Sequence, residues 1–177
     1  MAVKKFVNPE DFIMTDLPLI VLQAQDTDTI GWLIRWRTNS QYNHSMFMRT
    51  PKYFASQGLT FKEIRVKDYI KKNMRFKFWQ VKNITPVQRC MINKLIDERL
   101  NKPWWARRYD FLGIIGQATG LRWIQSPFGM YCSEQVSEAL IWIGLDVPKK
   151  ASPEDLNNYF KKNPDIFECV GYSIFED

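Results

Sequence analysis

The sequence is poor in the residues that build disulfide frameworks, metal centres and histidine clusters. Its 177 residues include only three cysteines and a single histidine. Three widely spaced cysteines, an odd number, form neither a disulfide framework nor a zinc site. We therefore expect no metal and no other cofactor. If any histidine takes part in chemistry, it is His44.

Long apolar segments are also missing. No stretch approaches the uninterrupted apolar length that a membrane-spanning helix needs. The first ten residues, MAVKKFVNPE, lack the apolar core of a signal peptide. These features predict a cytoplasmic protein with no transmembrane segment, or a virion-associated one if a phage encodes it.

The composition is that of a well-packed globular protein, with 45% hydrophobic and 15% aromatic residues. We expect a single domain over residues 1–177, in which residues 1–16 form an N-terminal arm. The net charge of +6 is spread over short basic runs that a solvated surface explains. No nucleic-acid module signature is present, so specific nucleic-acid binding ranks last among the possible functions.

The spacing of apolar residues predicts an α+β domain. Strands are predicted at 18–23, 44–48, 53–56, 59–66, 75–81 and 167–174. Helices are predicted at about 30–38, 67–73, 85–100, 109–115, 132–143 and 152–160.

The segment FGMYCSEQV places Cys132 at the start of an amphipathic helix. Cys132 lies one turn before Val136 on the same helix face. The positive end of the helix dipole and the unpaired amides of the first turn favour a nucleophilic thiolate at such a position. The alternative is a small buried core residue, which is the usual environment of a free cysteine.

A thiolate nucleophile needs a base, and His44 opens a predicted strand. A histidine on a strand that faces the N-terminus of a cysteine-bearing helix supplies the pair that thiol catalysis requires. The alternative for His44 is a hydrogen-bonded residue at a strand start.

Several short motifs, taken together, resemble one family. They are a Gly-Trp-Leu-Ile-Arg helix, Tyr42-Asn43-His44-Ser45-Met46, Tyr109-Asp110-Phe111, Tyr131-Cys132-Ser133-Glu134, and Gly144-Leu145-Asp146-Val147-Pro148 followed by Ser-Pro-Glu-Asp-Leu. Their order, over residues 17 to 172, resembles that of the circularly permuted papain-like amidases and peptidases. This family is related to the NlpC-type cell-wall hydrolases, and its histidine strand precedes the nucleophile helix.

The resemblance implies a small, strongly curved antiparallel sheet packed against the nucleophile helix. It also implies that Cys132 is the nucleophile and His44 the general base and acid. The pair Tyr109-Asp110 would be a structural buttress near the site, and Tyr42 would line the cleft.

The sequence departs from the family at the residue that orients the imidazole. Family members usually carry a polar residue, often Glu, on the strand after the histidine strand, but here that strand contains no acid. We assign the role to Gln57. Ser56 is the competitor, because a one-residue change of register exchanges their faces. Glu63 is a more distant alternative.

These features predict a thiol hydrolase that cleaves an amide in a peptidoglycan-type peptide, an isopeptide or a similar peptide- or acyl-containing substrate. One alternative is a non-catalytic structural or interaction protein with an assembly partner, such as a phage-particle component. Another is a lipid acyl hydrolase or acyltransferase, because the lecithin retinol acyltransferase group is related to the family. Trp104-Trp105 and Trp123-Ile124 are the candidates for lining an acyl cleft, unless they belong to the core.

Overall fold

The computed structural model describes residues 7–14, 17–25, 40–58, 60–71, 73–107 and 132–175. The helix predicted at 30–38 and the short helix predicted at 109–115 lie outside the described residues. So do Tyr109-Asp110 and Trp123-Ile124.

Six antiparallel strands form one sheet in the order β4-β3-β2-β1-β5-β6. Their bounds are β1 (Leu19–Gln25), β2 (His44–Thr50), β3 (Tyr53–Gln57), β4 (Phe61–Arg65), β5 (Met74–Val81) and β6 (Phe167–Phe175). Each falls within a segment that the alternation or continuity of apolar residues predicted as strand, give or take two residues at its ends. The central strands β1 and β5 are buried along almost their whole length, which explains the apolar run at the start of β1.

Four helices accompany the sheet in the described part of the chain, which confirms the α+β class. They are α1 (Val66–Tyr69), α2 (Pro86–Leu100), α3 (Cys132–Trp142) and α4 (Pro153–Lys162). Helix α1 is a single turn and is shorter than the predicted helix at 67–73. Helices α2 and α4 begin as predicted: Thr85 forms a capping box with Gln88, and Ser152 forms one with Asp155.

The sheet has a hydrophobic core on each of its two faces. The helical core lies between the sheet and α2, α3 and α4, and it includes Leu22, Phe47, Ile92, Leu140 and Phe160. The second core lies on the opposite face and includes Val21, Met46, Met48, Phe54 and Phe76. The central strands are buried on both faces, so their polar side chains do not meet water and need partners inside the protein.

Alternation along β2 assigns each of its residues to one face. Met46 and Met48 belong to the second core, whereas Phe47 belongs to the helical core. Arg49 confirms this assignment on the helical side, because its guanidinium lies 2.6 Å from the carboxylate of Asp97 on α2. By the same period of two, His44 shares the face of Met46.

The N-terminal segment closes the outer edge of the sheet. The amide of Val7 donates to the carbonyl of Tyr172 on β6 at 2.8 Å. Gly171 permits this close approach, because a Cβ at that position would come within 2.5 Å of a methyl group of Val7. The segment therefore covers backbone groups that an open edge strand would expose.

Within the described residues, no helix has the length and apolar character needed to cross a bilayer.

Candidate functional site

Cys132 is the first described residue of α3, and its side chain is only 4% exposed. Helix α3 packs against β2 through an apolar stripe that contains Val136, Ala139 and Leu140, which are 0–1% exposed. Cys132 is not in a disulfide. The fold thus fixes a buried thiol in the first described turn of α3, on the side towards which the positive end of the helix dipole points.

His44 is the first residue of β2 and is half-buried. Its Nε2 lies 2.8 Å from the Oγ of Ser56, which is 1% exposed. Ser56 pairs with Met46 across β2 and β3, and directly paired residues share a face. The hydrogen bond and the strand register therefore agree that the imidazole lies on the face of the second core.

The two predicted catalytic residues occupy neighbouring elements but different faces of the sheet. Helix α3 covers the helical core, and β2, on which it packs, presents Phe47 to that core. The His44 imidazole extends to the opposite side, where Ser56 holds it. The fold brings the backbone of His44 to the strand beneath α3. The pairing of its imidazole with the Cys132 thiol stays a prediction.

Gln57 does not contact His44, and its predicted role of orienting the ring needs correction. Its Nε2 donates to the carbonyl of Arg107 at 2.9 Å, and its Oε1 accepts a hydrogen bond from Gln135 on α3. The physical reason is the two-residue period of β3: Gln57 follows Ser56 and so faces the helical core. Ser56, the alternative candidate, is the residue that contacts the imidazole.

Glu63 is engaged elsewhere. Its carboxylate forms an ion pair with Arg49 at 3.1 Å, and Arg49 also binds Asp97. Because Glu63 pairs with Ala55 of the helical core, it lies on the face opposite His44. It is therefore not the residue that orients the imidazole.

Tyr42 is 9% exposed and belongs to the helical core, and burial raises the pKa of its hydroxyl above the ordinary value. In contrast, Trp104 and Trp105 lie on a 3-10 turn (Trp104–Arg107) and are 59% and 52% exposed. They are surface residues rather than core residues. Gln57 links this turn to the first turn of α3, through the Arg107 carbonyl and Gln135.

The sequence did not reveal a buried polar network on the helical face of the sheet, which reaches the segment before His44. Lys77 on β5 is 4% exposed, and its Nζ donates to Oδ1 of Asn157 at 3.0 Å. The Nδ2 of Asn157 donates to Glu154 Oε1 at 3.0 Å, and Glu154 Oε2 accepts from the amide of Gln41 at 2.9 Å. The one sequence signal for it is the Ser-Pro-Glu-Asp-Leu motif, which predicts only a helix start.

The ammonium group of Lys77 is buried and lies close to two aromatic rings. Its ammonium lies 4.3 Å from the ring centroid of Trp79 and 5.3 Å from that of Tyr172. Burial lowers the pKa of Lys77 below its ordinary value. The amide of Asn157 and the two ring faces offset part of the desolvation of this ammonium.

Among the residues with described positions, no group of three or more His, Cys, Asp or Glu side chains is arranged to hold a metal ion. Comparison with known proteins gave no match, either to a protein-family model or to a curated protein.

Proposed function

We propose that this protein is a thiol hydrolase with a permuted papain-like fold, in which Cys132 attacks the carbonyl of an amide substrate. The observation that carries the proposal is the position of the buried Cys132 in the first described turn of α3. Support also comes from the six-stranded antiparallel sheet beneath that helix and from the order of the sequence motifs.

The chemistry follows from the groups available. The Cys132 thiolate adds to the substrate carbonyl, and the backbone amide of Cys132 donates a hydrogen bond to the oxyanion that forms. His44 takes the thiol proton and delivers it to the leaving amine as the C–N bond breaks. Water then attacks the thioester and His44 removes its proton. As the C–S bond breaks, His44 returns this proton to the Cys132 sulfur, and the carboxylic acid leaves.

The proposed reaction requires His44 on the other face of β2. His44 must present its imidazole to the α3 side, and a one-residue shift at the start of the strand exchanges the two faces. The residue before it is already incompletely satisfied: the Oδ1 of Asn43 is buried and has no hydrogen-bond partner in the described part of the chain. Leaving a buried acceptor unpaired costs about 1–3 kcal/mol. This cost reduces the stability of the described register of β2 relative to a register shifted by one residue.

Active-ester trapping tests the proposal directly. Incubation with p-nitrophenyl acetate is expected to acetylate Cys132, as located by peptide mapping, and to release p-nitrophenolate. The Cys132→Ala variant should give neither product, whereas the matched Cys90→Ala variant should behave as the wild type, because Cys90 is an exposed residue of α2. Acetylation that is spread over other residues and is unaffected by Cys132→Ala would overturn the assignment.

One observation favours a second function, that of a non-catalytic interaction protein with this fold. The hydrogen bond to Ser56 holds His44 on the face of the second core, which is the arrangement of a structural histidine. Under this alternative the Cys132 thiol is simply a buried core group. The trapping experiment separates the two functions, because an interaction protein forms no acetyl thioester on Cys132.

A further inference from the structure

The segment that leads into His44 is fastened to the first turn of α4. The Oε2 of Glu154 accepts a hydrogen bond from the backbone amide of Gln41 at 2.9 Å. The hydroxyl of Ser40 lies 3.4 Å from the same oxygen, but its single proton goes to the nearer carbonyl of Tyr42. One carboxylate therefore holds the chain three residues before His44.

The carboxylate is itself held from its other side. The amide of Asn157 donates to Glu154 Oε1 and accepts from the ammonium of Lys77, each at 3.0 Å. Asn157 is 0% exposed and Lys77 is 4% exposed. The buried side of the network thus connects β5 through α4 to the segment before β2. A buried amide that uses both its donor and its acceptor has one favoured orientation, which makes Glu154 a fixed anchor point.

The anchored segment determines where β2 starts. The amide of Asn43 donates to the carbonyl of Gln23 at 2.9 Å, and His44 pairs with Gln23 in the first register position. Since side chains alternate between the faces, the position of this first pair decides which face receives the imidazole. An anchor on Gln41 therefore acts on His44 without touching it.

We propose that Glu154 is a positioning residue that fixes the segment Ser40–Asn43 and thereby sets the sheet face on which His44 lies. In the described arrangement this role holds the imidazole on the face of Ser56. Its bearing on catalysis rests on the proposed function, which requires the imidazole on the α3 side. It also gives a purpose to the Ser-Pro-Glu-Asp-Leu motif beyond helix capping, because the capping residues are Ser152 and Asp155.

Two substitutions separate the contact made by Glu154 from its charge. Glu154→Asp keeps a carboxylate in the first turn of α4 but withdraws it by one methylene from the Gln41 amide. Glu154→Gln loses the charge, yet its amide oxygen can still accept from Gln41. It loses only the bond from Asn157, whose NH2 group would face another NH2 group.

The chain contains one histidine, so an NMR spectrum of the imidazole C–H groups reports His44 alone. Glu154→Asp is expected to shift or double the His44 signal and to reduce its response to Ser56→Ala, because the imidazole no longer stays on Ser56. Glu154→Gln is expected to retain the wild-type signal and response, even though its melting temperature falls. A His44 signal that is unchanged by Glu154→Asp, or that changes more with Glu154→Gln than with Glu154→Asp, would overturn the positioning role.

This experiment and the trapping of Cys132 fail independently. The NMR signal of His44 does not require a reactive thiol, and both Glu154 variants can be measured in a Cys132→Ser background. If Cys132 forms no acetyl thioester but the His44 signal follows the expected pattern, the hydrolase proposal fails and the positioning role stands. If Cys132 forms the acetyl thioester but the His44 signal does not follow the expected pattern, the positioning role fails and the hydrolase proposal stands.

Discussion

Replacing His44 with Ala is expected to slow acylation of Cys132 by about 10²- to 10⁴-fold, the usual contribution of a positioned general base. The reason is that the variant has no side chain to take the thiol proton or to protonate the leaving group. No other histidine can replace it, because the chain has only this one. Release of p-nitrophenolate under single-turnover conditions measures the acylation rate.

His44→Gln is the matched control for this variant. A glutamine side chain can hydrogen-bond to Ser56 as the imidazole does, but it cannot carry a proton between groups at neutral pH. We expect His44→Gln to acylate Cys132 as slowly as His44→Ala does. If His44→Gln acylates at the wild-type rate, the contribution of His44 lies in its bond to Ser56 and not in proton transfer.

Truncating Phe160 to Ala is expected to destabilise the fold by about 3–5 kcal/mol, the range for a large aromatic side chain removed from a core. Phe160 on α4 is 0% exposed, and its ring centroid lies 4.4 Å from that of Phe167 and 5.5 Å from that of Trp79. Its removal leaves a cavity between α4 and strands β5 and β6. Urea denaturation followed by circular dichroism measures the loss.

Val87→Ala provides the comparison for Phe160→Ala. Val87 is 69% exposed on α2, so its truncation is expected to change the free energy of unfolding by less than about 0.5 kcal/mol. Equal effects of the two substitutions would contradict the packing of α4 against the sheet.

The elements of this fold could be predicted from the sequence because each depends on local pattern. Apolar alternation identified the strands, and Thr85-Pro86 and Ser152-Pro153 identified two helix starts. The helix that contains Cys132 was also predicted, because its apolar residues recur at helical spacing. In each of these cases the residues that determine the element lie close together in the sequence.

The faces of the sheet could not be predicted in the same way. Ser56 and Gln57 are neighbours of similar polarity, and only the register between β2 and β3 decides which of them meets His44. That register is set by packing on both sides of the sheet. The apolar residues at 46, 47 and 48 on β2 suit either face, so the local sequence does not distinguish the two registers.

The network around Glu154 could not be predicted from the sequence for a different reason. Lys77 alternates with phenylalanines on β5, which suggests a solvent-facing position, but a helix covers that face of the strand. The partners of Glu154 and Lys77 are far away in the sequence: Glu154 binds Gln41, and Lys77 binds Asn157. Such pairs become visible only when tertiary packing brings their elements together.

Competitive alkylation of the three cysteines tests whether Cys132 is an activated nucleophile paired with His44. Accessibility alone predicts that iodoacetamide modifies the exposed Cys90 first, the half-buried Cys169 next and the buried Cys132 last. For an activated Cys132 we expect the reverse: it is modified first at neutral pH, and His44→Ala slows its modification while leaving that of Cys90 unchanged. Modification of Cys90 ahead of Cys132, or a Cys132 rate that does not depend on His44, would contradict the claim.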